Sequence, residues 1–213
     1  TSPAVGDLDG DGDVEVVVAD NGVYAWHANG LEVRDGDNLG TTYGVFSADP
    51  GAMNASVALA PLDAAPGLEI VAASWLTNTV YVWNVYGQLL PGWPVQPYSG
   101  GNLGFWGSPS IGDVDGDGSP EIVIVSKDGY LYAWHVDGTP LLTGTNGAVR
   151  QVGAWTQTTP ALADLDGDGR REMIVNGALA KVFVLRHDGT DFTGWPVSLY
   201  ALGKGSPAVG DVD

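Results

Sequence analysis

Residues 108–125 read SPSIGDVDGDGSPEIVIV, in which a short apolar segment, an acidic glycine-rich stretch and a run of β-branched residues follow one another. The same pattern begins at Ser2, Ser56 and Thr159, and its opening positions return at Ser206 as SPAVGDVD. Successive copies start 54, 52, 51 and 47 residues apart. This spacing indicates an array of repeated units, each too long for a leucine-rich or ankyrin repeat.

Each repeat is predicted to form four β-strands. The apolar segment is the first, and the β-branched run is the second, continuous enough to be buried on both faces. Third strands are predicted at 23–26, 80–83, 131–134 and 181–185, each followed by a turn that closes at Gly30, Gly87, Gly138 or Gly189. Asn-Gly and Asp-Gly pairs at three of these turns favour type I′ hairpins. A weaker fourth strand is marked by Gly-Trp-Pro-Val at 92–95 and 194–197.

The predicted fold is therefore all-β, with β-propeller blades of four antiparallel strands. Residues 1–213 form one propeller region, and four complete blades span about 2–55, 56–107, 108–158 and 159–205, with 206–213 as the start of a fifth repeat. No cysteine is present, and no run of about 18 apolar residues predicts a membrane-spanning helix.

Three of the repeats carry Asp-x-Asp-Gly-Asp-Gly-x-x-Glu between the first two strands. Alternate carboxylates in a tight loop converge, and Ca²⁺ takes about six to eight oxygen ligands at about 2.3–2.6 Å. The glycine at the sixth position lets the loop fold back around the ion. Side-chain ligands are predicted at Asp7, Asp9, Asp11, Glu15, Asp113, Asp115, Asp117, Glu121, Asp164, Asp166, Asp168 and Glu172, with backbone carbonyl ligands at Asp13, Ser119 and Arg170. About three calcium sites follow.

The second repeat differs, because Pro61, Asp63 and Ala65 stand where the other repeats have three aspartates. We expect no ion there. Magnesium, which prefers fewer protein ligands, fits the other loops less well, as does an EF-hand or dockerin loop, which continues into a helix. The alternative is that the loops are ordinary polar turns without a metal. In that case the neighbouring carboxylates would raise one another's pKa, and their mutual repulsion would lower the stability of the fold.

The charge supports cation binding and excludes other partners. The chain has 26 acidic and 8 basic residues and a formal net charge of −18, so a nucleic acid or an anionic membrane surface would be repelled. The three loops contain 13 of the 26 acidic residues. Three bound calcium ions would neutralise a third of the formal charge.

These residues resemble the FG-GAP/VCBS repeat family, which includes the integrin α-chain propellers. The resemblance lies in the nine-residue acidic loop and the strand after it; the Phe-Gly and Gly-Ala-Pro segments are missing, and Gly107-Ser-Pro and Gly205-Ser-Pro stand in their place. It implies a closed ring of about seven blades with calcium in the loops of one face. We therefore expect the chain to be part of a larger propeller. A closed four-bladed ring, or a chain whose last strand completes a neighbour, are alternatives.

Several other residues were weighed for function. His27, His135 and His187 lie in hairpins of different blades and are predicted to be turn residues and not a zinc site. Trp26, Trp83 and Trp134 share one repeat position and are predicted to pack between blades. Trp75, Trp106 and Trp155 break the repeat and form either further packing or a ligand surface. Asn54-Ala-Ser is a short match to the N-glycosylation signal.

The favoured hypothesis is a secreted or cell-surface, calcium-binding module for recognition or scaffolding, whose partner is an extracellular protein or glycan. Two alternatives are the substrate-binding or catalytic propeller of a secreted polysaccharide-active enzyme and a self-assembling subunit of an extracellular filament or surface layer. The sequence contains no nucleophile elbow, phosphate-binding loop or Ser-His-Asp arrangement, so no catalytic residue is assigned and we expect no enzyme activity.

Overall fold

The computed structural model describes residues 1–34, 36, 44–47, 52–97, 104–154, 156–178, 180–201 and 205–212. Its described residues form strands, turns and loops, with no helix long and apolar enough to cross a membrane. All strand pairs are antiparallel, and each sheet is built from strands that follow one another along the chain. The predicted all-β architecture of propeller blades is confirmed.

The strands form four sheets, numbered here in chain order. The first contains β1 (Ala4–Gly6), β2 (Glu15–Ala19), β3 (Val23–His27) and β4 (Val45–Ser47). The second contains β5 (Ala58–Ala60), β6 (Glu69–Ser74) and β7 (Thr79–Trp83). The third contains β8 (Ser110–Gly112), β9 (Glu121–Val125), β10 (Tyr130–His135) and β11 (Ala148–Gln151). The fourth contains β12 (Ala161–Ala163), β13 (Glu172–Gly177), β14 (Lys181–Leu185) and β15 (Val197–Ser198).

The fourth strand is the least regular, as its weak sequence signal suggests. In the second sheet it is reduced to one bridge, in which Val80 and Val95 exchange both backbone hydrogen bonds at 2.9 and 3.0 Å. In the fourth sheet β15 has only two residues and both are exposed. Both begin at the valine of a Gly-Trp-Pro-Val segment, directly after a proline that cannot donate to a ladder, so a short outer strand results.

The sheets pack face to face in sequence order. The innermost strands follow one another across the array, since β1 contacts β5, β5 contacts β8 and β8 contacts β12. Every residue of β6 and β9 is buried, because sheets cover both of their faces, whereas β2 alternates between buried and half-buried residues. Among the described strands the array is open, and the first and fourth sheets are not joined into a ring.

Two of the three repeated tryptophans pack as predicted, whereas Trp26 is half-buried and lies outside the hydrophobic clusters. Trp83 and Trp134 are 3% and 2% exposed and lie in the hydrophobic clusters between sheets. Each stacks on the tyrosine two positions earlier, with ring centroids 5.0 Å apart for Tyr81 and Trp83 and 5.6 Å apart for Tyr132 and Trp134. Side chains two positions apart share one face of a strand, which explains the pairs.

The predicted type I′ hairpins are wrong. Gly30, Gly138 and Gly189 have positive φ values of 82°, 77° and 78°, but the residues before them do not. The amide of Gly30 donates to the His27 carbonyl, and the amide of His27 donates to the Leu31 carbonyl. This is a three-residue connection in which a type I turn is followed by a left-handed glycine, and that geometry needs positive φ at one position only.

Candidate metal sites in the acidic loops

The first aspartate of each acidic loop folds the loop around its own carboxylate. Asp113 Oδ1 accepts a hydrogen bond from the Gly116 amide at 2.7 Å, and its Oδ2 accepts one from the Gly118 amide at 3.0 Å. Asp7 and Asp164 accept from their two loop glycines at the same distances. The Gly169 amide is the largest cause that holds the pKa of Asp164 below its usual range. These amides therefore favour the ionised, metal-binding form.

Two glycines in each loop are required by backbone conformation. Gly116 and Gly118 have φ values of 80° and 90°, in the left-handed region that L side chains rarely adopt. A Cβ at Gly118 would meet no atom within 4 Å, so the requirement at this position is conformational and not steric. The positive φ of Gly118 agrees with the prediction that the glycine at the sixth position lets the loop fold back.

The loops bring carboxylates together within ligand-binding distance of a common centre. In each of the groups below, one ligand atom from every residue lies within 4.8 Å of the others. The groups are Asp7, Asp9 and Glu15; Asp113, Asp115 and Asp117; and Asp164, Asp166 and Glu172. All of these donors are carboxylate oxygens, the ligands that a hard cation such as Ca²⁺ prefers, so the residues present fit a calcium ion.

Two of the three predicted ligands at the fifth loop position lie outside these groups. Asp11 and Asp168 instead accept hydrogen bonds from the amides of Asp13 and Arg170, both at 2.8 Å. Asp117 accepts the corresponding bond from the Ser119 amide at 2.7 Å and still belongs to its group. The three loops therefore share one hydrogen-bond pattern but differ in which carboxylates approach one another.

The glutamate that ends each loop is buried and has a structural role besides its predicted one. Glu121 is 0% exposed, and its Oε2 accepts a hydrogen bond from the Val114 amide at 2.9 Å. Glu15 and Glu172 accept the corresponding amides of Leu8 and Leu165, both at 2.8 Å. Burial raises the pKa of Glu121, while the Val114 amide acts in the opposite direction. The glutamate thus closes the loop whether or not it binds an ion.

The second repeat separates these two roles. Glu69 is 3% exposed and accepts the Leu62 amide at 2.5 Å, as the other glutamates do. Asp63 accepts the Ala65 amide at 2.6 Å, and no other aspartate stands in this loop. The buried glutamate is therefore part of the turn in all four repeats, whereas the aspartates belong to three.

The prediction that His27 and His135 are turn residues is wrong. They are the last residues of β3 and β10, directly opposite Glu15 and Glu121 in the strand register. Each Nδ1 lies 3.1 Å from the Oε1 atom of that glutamate. The shared repeat position of the two histidines, together with the strand pairing, could have indicated this contact. His187 lies in the turn after β14, as predicted.

Neighbouring loops touch one another. The Arg170 side chain leaves its own loop, and its Nε donates to the Asp115 carbonyl in the preceding blade at 3.0 Å. A Cβ at Gly116 would lie 3.0 Å from Arg170 Cγ, so the arginine packs directly on that loop. Arg170, which was predicted to bind the ion of its own loop through its backbone carbonyl, therefore also places a positive charge beside a second acidic loop.

The tryptophans that break the repeat lie away from the acidic loops. Trp75 begins the turn between β6 and β7 and is 37% exposed. Trp106 is half-buried, with the Lys127 Nζ atom 4.1 Å from its ring centroid. In an antiparallel meander the turns between second and third strands lie at the edge opposite the acidic loops. Trp155 lies outside the described residues, and a ligand surface at these tryptophans stays a prediction.

Three comparisons place this fold among known proteins. The FG-GAP-like repeat family matches residues 113–175, which include the acidic loops at 113–121 and 164–172 and the strands between them. No curated protein sequence matches the chain.

Solved structures resemble the whole chain. The crystal structure of BBS1N in complex with ARL6DN, soaked with lead, has a TM-score of 0.56 and 15% identity, with 94% of this chain and 57% of that chain covered. BamB from Moraxella catarrhalis has a TM-score of 0.50 and 14% identity, with 93% and 50% covered. The V. cholerae biofilm matrix protein Bap1 has a TM-score of 0.49 and 22% identity, with 93% and 39% covered.

The chain therefore spans little more than half the length of the structures it resembles. At these identities the likeness concerns the fold and not the ligand. The chain thus has the fold of β-propeller blades, and its residues 113–175 match the FG-GAP-like repeat family.

Proposed function

We propose that this chain is a calcium-stabilised β-propeller module that serves recognition or scaffolding in a secreted or cell-surface protein. The observation that carries the proposal is the convergence of three carboxylates within 4.8 Å in each of three loops. Asp7, Asp113 and Asp164 would hold the ion together with their loop partners, and the ion would supply the positive charge that the loops lack. No catalytic role is proposed.

The burial of the loop glutamates supports a structural use of the ion. Glu15, Glu121 and Glu172 are 1%, 0% and 3% exposed, and a buried carboxylate is costly unless it is paired. An amide donor and, for Glu15 and Glu121, a histidine nitrogen meet part of that requirement. A cation beside the loop would offset the remaining repulsion from the aspartates, so metal binding and stability should be coupled.

The proposed setting rests on the resemblance and on the weak calcium affinity that we expect of these loops. Extracellular calcium modules bind with a Kd of about 10⁻⁴–10⁻³ M, weaker than cytosolic sensors. A carboxylate-rich loop that already uses its oxygens in backbone hydrogen bonds suits a site that fills at the higher calcium concentration outside the cell. We therefore propose an extracellular protein or glycan as the partner.

Thermal unfolding tests the proposal. Protein that has been freed of metal is melted in excess EGTA and then across a calcium titration, with magnesium at equal concentration as control. A native-state ligand stabilises by RT ln(1 + [L]/Kd), or about 2.7 kcal/mol per site at 100 times the Kd. We expect a calcium-specific rise in Tm and about three bound ions per chain by elemental analysis.

An unchanged Tm and no bound calcium would overturn the assignment and leave the loops as solvated turns. An equal response to magnesium would overturn the choice of ion. A Kd in the nanomolar range would contradict the extracellular setting, because such a site would be filled in the cytosol too.

A further inference from the structure

A groove of about 290 Å³ lies between the first and second sheets, beside the turn that closes at Gly87. Arg34 and Ser47 line it from the first sheet, and Tyr81, Gly87 and Leu89 line it from the second. Its volume is at the lower end of ligand pockets, which measure about 300–1,000 Å³. The repeats provide the same junction twice more, so each position in the groove has a counterpart for comparison.

The positions that face this junction are fixed by the strand register. Leu89 and Asp191 are equivalent, because they bridge to Trp83 and Leu185 at the same point after the turn. Ser47 and Arg150 are equivalent, because they pair with the corresponding residues of β3 and β10. The first-to-second junction therefore combines serine and leucine where the third-to-fourth junction has arginine and aspartate.

Arg34 occupies the third position that faces this junction, beside those of Ser47 and Leu89. A Cβ at Gly87 would lie 2.5 Å from the Arg34 guanidinium, and one at the equivalent Gly189 would lie 3.4 Å from Leu142. Arg34 thus stands where the later junction has Leu142. The cation therefore stands at a different position in each junction, at Arg34 in one and at Arg150, the counterpart of Ser47, in the other. The carboxylate of Asp191 has Leu89 as its counterpart.

In the third-to-fourth junction a guanidinium at the position of Ser47 binds the carboxylate at the position of Leu89. Arg150 Nη2 lies 2.9 Å from Asp191 Oδ2, and both side chains are about a third exposed. In the groove Arg34 donates through Nη1 to the Phe46 carbonyl at 2.6 Å and lies 5.7 Å from the Phe46 ring centroid. Among the described residues no carboxylate pairs with Arg34. The contacts to Phe46 hold the guanidinium in place and leave donors for a ligand.

The middle junction provides the neutral comparison. Pro91 stands at the Arg34 position there, and the Trp93 indole crosses to the third sheet and donates to the Val136 carbonyl at 2.8 Å. At this point that junction has a proline and an indole and no charged side chain. Arg34 is therefore a guanidinium of the first-to-second junction that pairs with no carboxylate among the described residues.

We propose that this groove binds the carboxylate of an acidic sugar. The ligand carboxylate pairs with Arg34 as Asp191 pairs with Arg150, in the fork geometry that arginine favours. Half-buried Tyr81, stacked on Trp83, and Leu89, which is 41% exposed, supply apolar surface for the carbon face of a sugar ring. Ser47 supplies a hydroxyl for hydrogen bonding. A small carboxylate such as acetate would leave that apolar surface uncovered.

The inference names a ligand class for the recognition role and in that respect rests on the proposed function. The formal charge of −18 repels an anion at long range, so the carboxylate must be recognised locally. At an ionic strength of about 0.15 M the Debye length is about 8 Å, which screens the distant charges more than the contact with Arg34. Binding should be measured under these conditions with calcium present.

The test is a titration of the calcium-loaded protein with glucuronate, followed by tryptophan fluorescence because Trp83 lines the groove. Glucose, acetate and a glutamate peptide are titrated in parallel. We expect glucuronate to bind at least tenfold more tightly than each of them. Equal binding of glucose would overturn the carboxylate, equal binding of acetate would overturn the sugar, and tighter binding of the peptide would replace the sugar with an acidic protein.

Two variants locate the site. Arg34→Leu restores the residue of the later junction and should weaken glucuronate binding at least tenfold. Leu89→Asp places an internal carboxylate where Asp191 stands and should block the groove while keeping or raising Tm, so a folding defect cannot explain the loss. Arg150→Leu, the matched control at the other junction, should leave the affinity unchanged. Unaltered binding in both groove variants would overturn the site.

Calcium binding is measured on the same samples. Glucuronate binding without a calcium response would refute the proposed calcium module and leave the groove. A calcium response without glucuronate binding would refute the proposed groove site and leave the calcium module.

Discussion

One buried glutamate per repeat determines how the acidic loops are built. It accepts the amide of the second loop residue in all four repeats, including the one in which the aspartates are missing. The aspartates are more exposed and fold the loop through short amide contacts. The exposed aspartates can therefore be substituted without removing the buried glutamate that closes the loop.

Asp115→Asn should remove one calcium site. Asp115 belongs to the group with Asp113 and Asp117, and one of its oxygens also lies within 4.8 Å of ligand atoms of Glu121 and His135. An amide in its place keeps the side-chain volume but removes the charge. We expect about one ion fewer per chain by elemental analysis, and a calcium-induced stabilisation smaller by about 2.7 kcal/mol at 100 times the Kd. Asp63→Asn in the second repeat is the matched control and should change neither value. Equal losses in the two variants would contradict the assignment.

The pH dependence of the metal-free protein should report the buried glutamates. Burial raises the pKa of Glu69, and the Asp63 charge adds to the effect, whereas the Leu62 amide opposes it. An acid with a raised folded pKa contributes stability that is fully present below its unfolded value, about 4.3, and is lost as the pH rises through the folded value. We therefore expect metal-free protein to become more stable as the pH falls from neutral toward that range.

Glu69→Gln should reduce that gain, as measured by urea unfolding in EGTA at a series of pH values. Below about pH 3.9 the trend should reverse, because amide and hydroxyl donors lower the pKa of Asp137 and Asp188, and stability from such groups is lost on protonation. A Glu69→Gln profile parallel to that of the wild type would show that this buried carboxyl does not titrate on unfolding.

At the scale of elements, a chain of hydroxyl contacts joins the repeats. The backbone amide of the first residue in each repeat donates to the side-chain hydroxyl of the first residue in the next. The four donor–acceptor distances are 2.7 Å from Ser2 to Ser56, 3.0 Å from Ser56 to Ser108, 3.2 Å from Ser108 to Thr159 and 2.9 Å from Thr159 to Ser206. The contacts run across the innermost strands and set the position of each sheet relative to the next.

Ser108→Ala should therefore destabilise the array. It removes the acceptor of the partly buried Ser56 amide, and an amide without a partner costs about 1–3 kcal/mol when buried. Because this contact is only partly buried, we expect about 1 kcal/mol in chemical denaturation at saturating calcium. Ser206→Ala removes an exposed contact of the same kind and should cost less than about 0.5 kcal/mol. Equal losses would contradict a role of burial in the chain of contacts.

At the scale of the molecule, charge is distributed unevenly. The acidic loops and the turns between third and fourth strands lie at the same edge of every sheet. In the first sheet, for example, one cavity is lined by Asp11 and Asp13 of the loop and by His27 and Asn29 of the turn. The opposite edge has Trp75, Trp106 and Lys127. Half of the acidic residues are therefore concentrated on one face, and their mutual repulsion acts on the folded state.

Metal-free protein should gain stability from salt. Between about 0.01 and 1 M ionic strength the Debye length falls from about 30 to 3 Å, which screens repulsion among the loops. We expect Tm in EGTA to rise over this range, and to rise much less in calcium, where bound ions already neutralise part of the charge. Choline chloride in place of sodium chloride should give the same rise, since screening does not depend on the cation. Equal slopes with and without calcium would contradict the expectation.

Much of this architecture could be predicted from the sequence. The repeat, the buried second strands, the aromatic third strands and the exceptional second loop are local patterns, in which neighbouring residues determine strand, turn and charge. The type I′ prediction failed because an Asn-Gly pair fits more than one turn, and the register of the flanking strands selects among them. Likewise, the histidines were assigned to turns because only strand pairing places them opposite the glutamates.

The sequence by itself therefore determined the blades and the carboxylates that they present. The tertiary structure decided which residues of different repeats meet. Arg34, Ser47 and Leu89 are unremarkable in the sequence, and their significance comes from comparison with Leu142, Arg150 and Asp191 at an equivalent junction. The same holds for the contact of Arg170 with the Asp115 carbonyl. The physical reason is that such contacts join side chains about 50 residues apart, and only the packing of one sheet on the next brings them together.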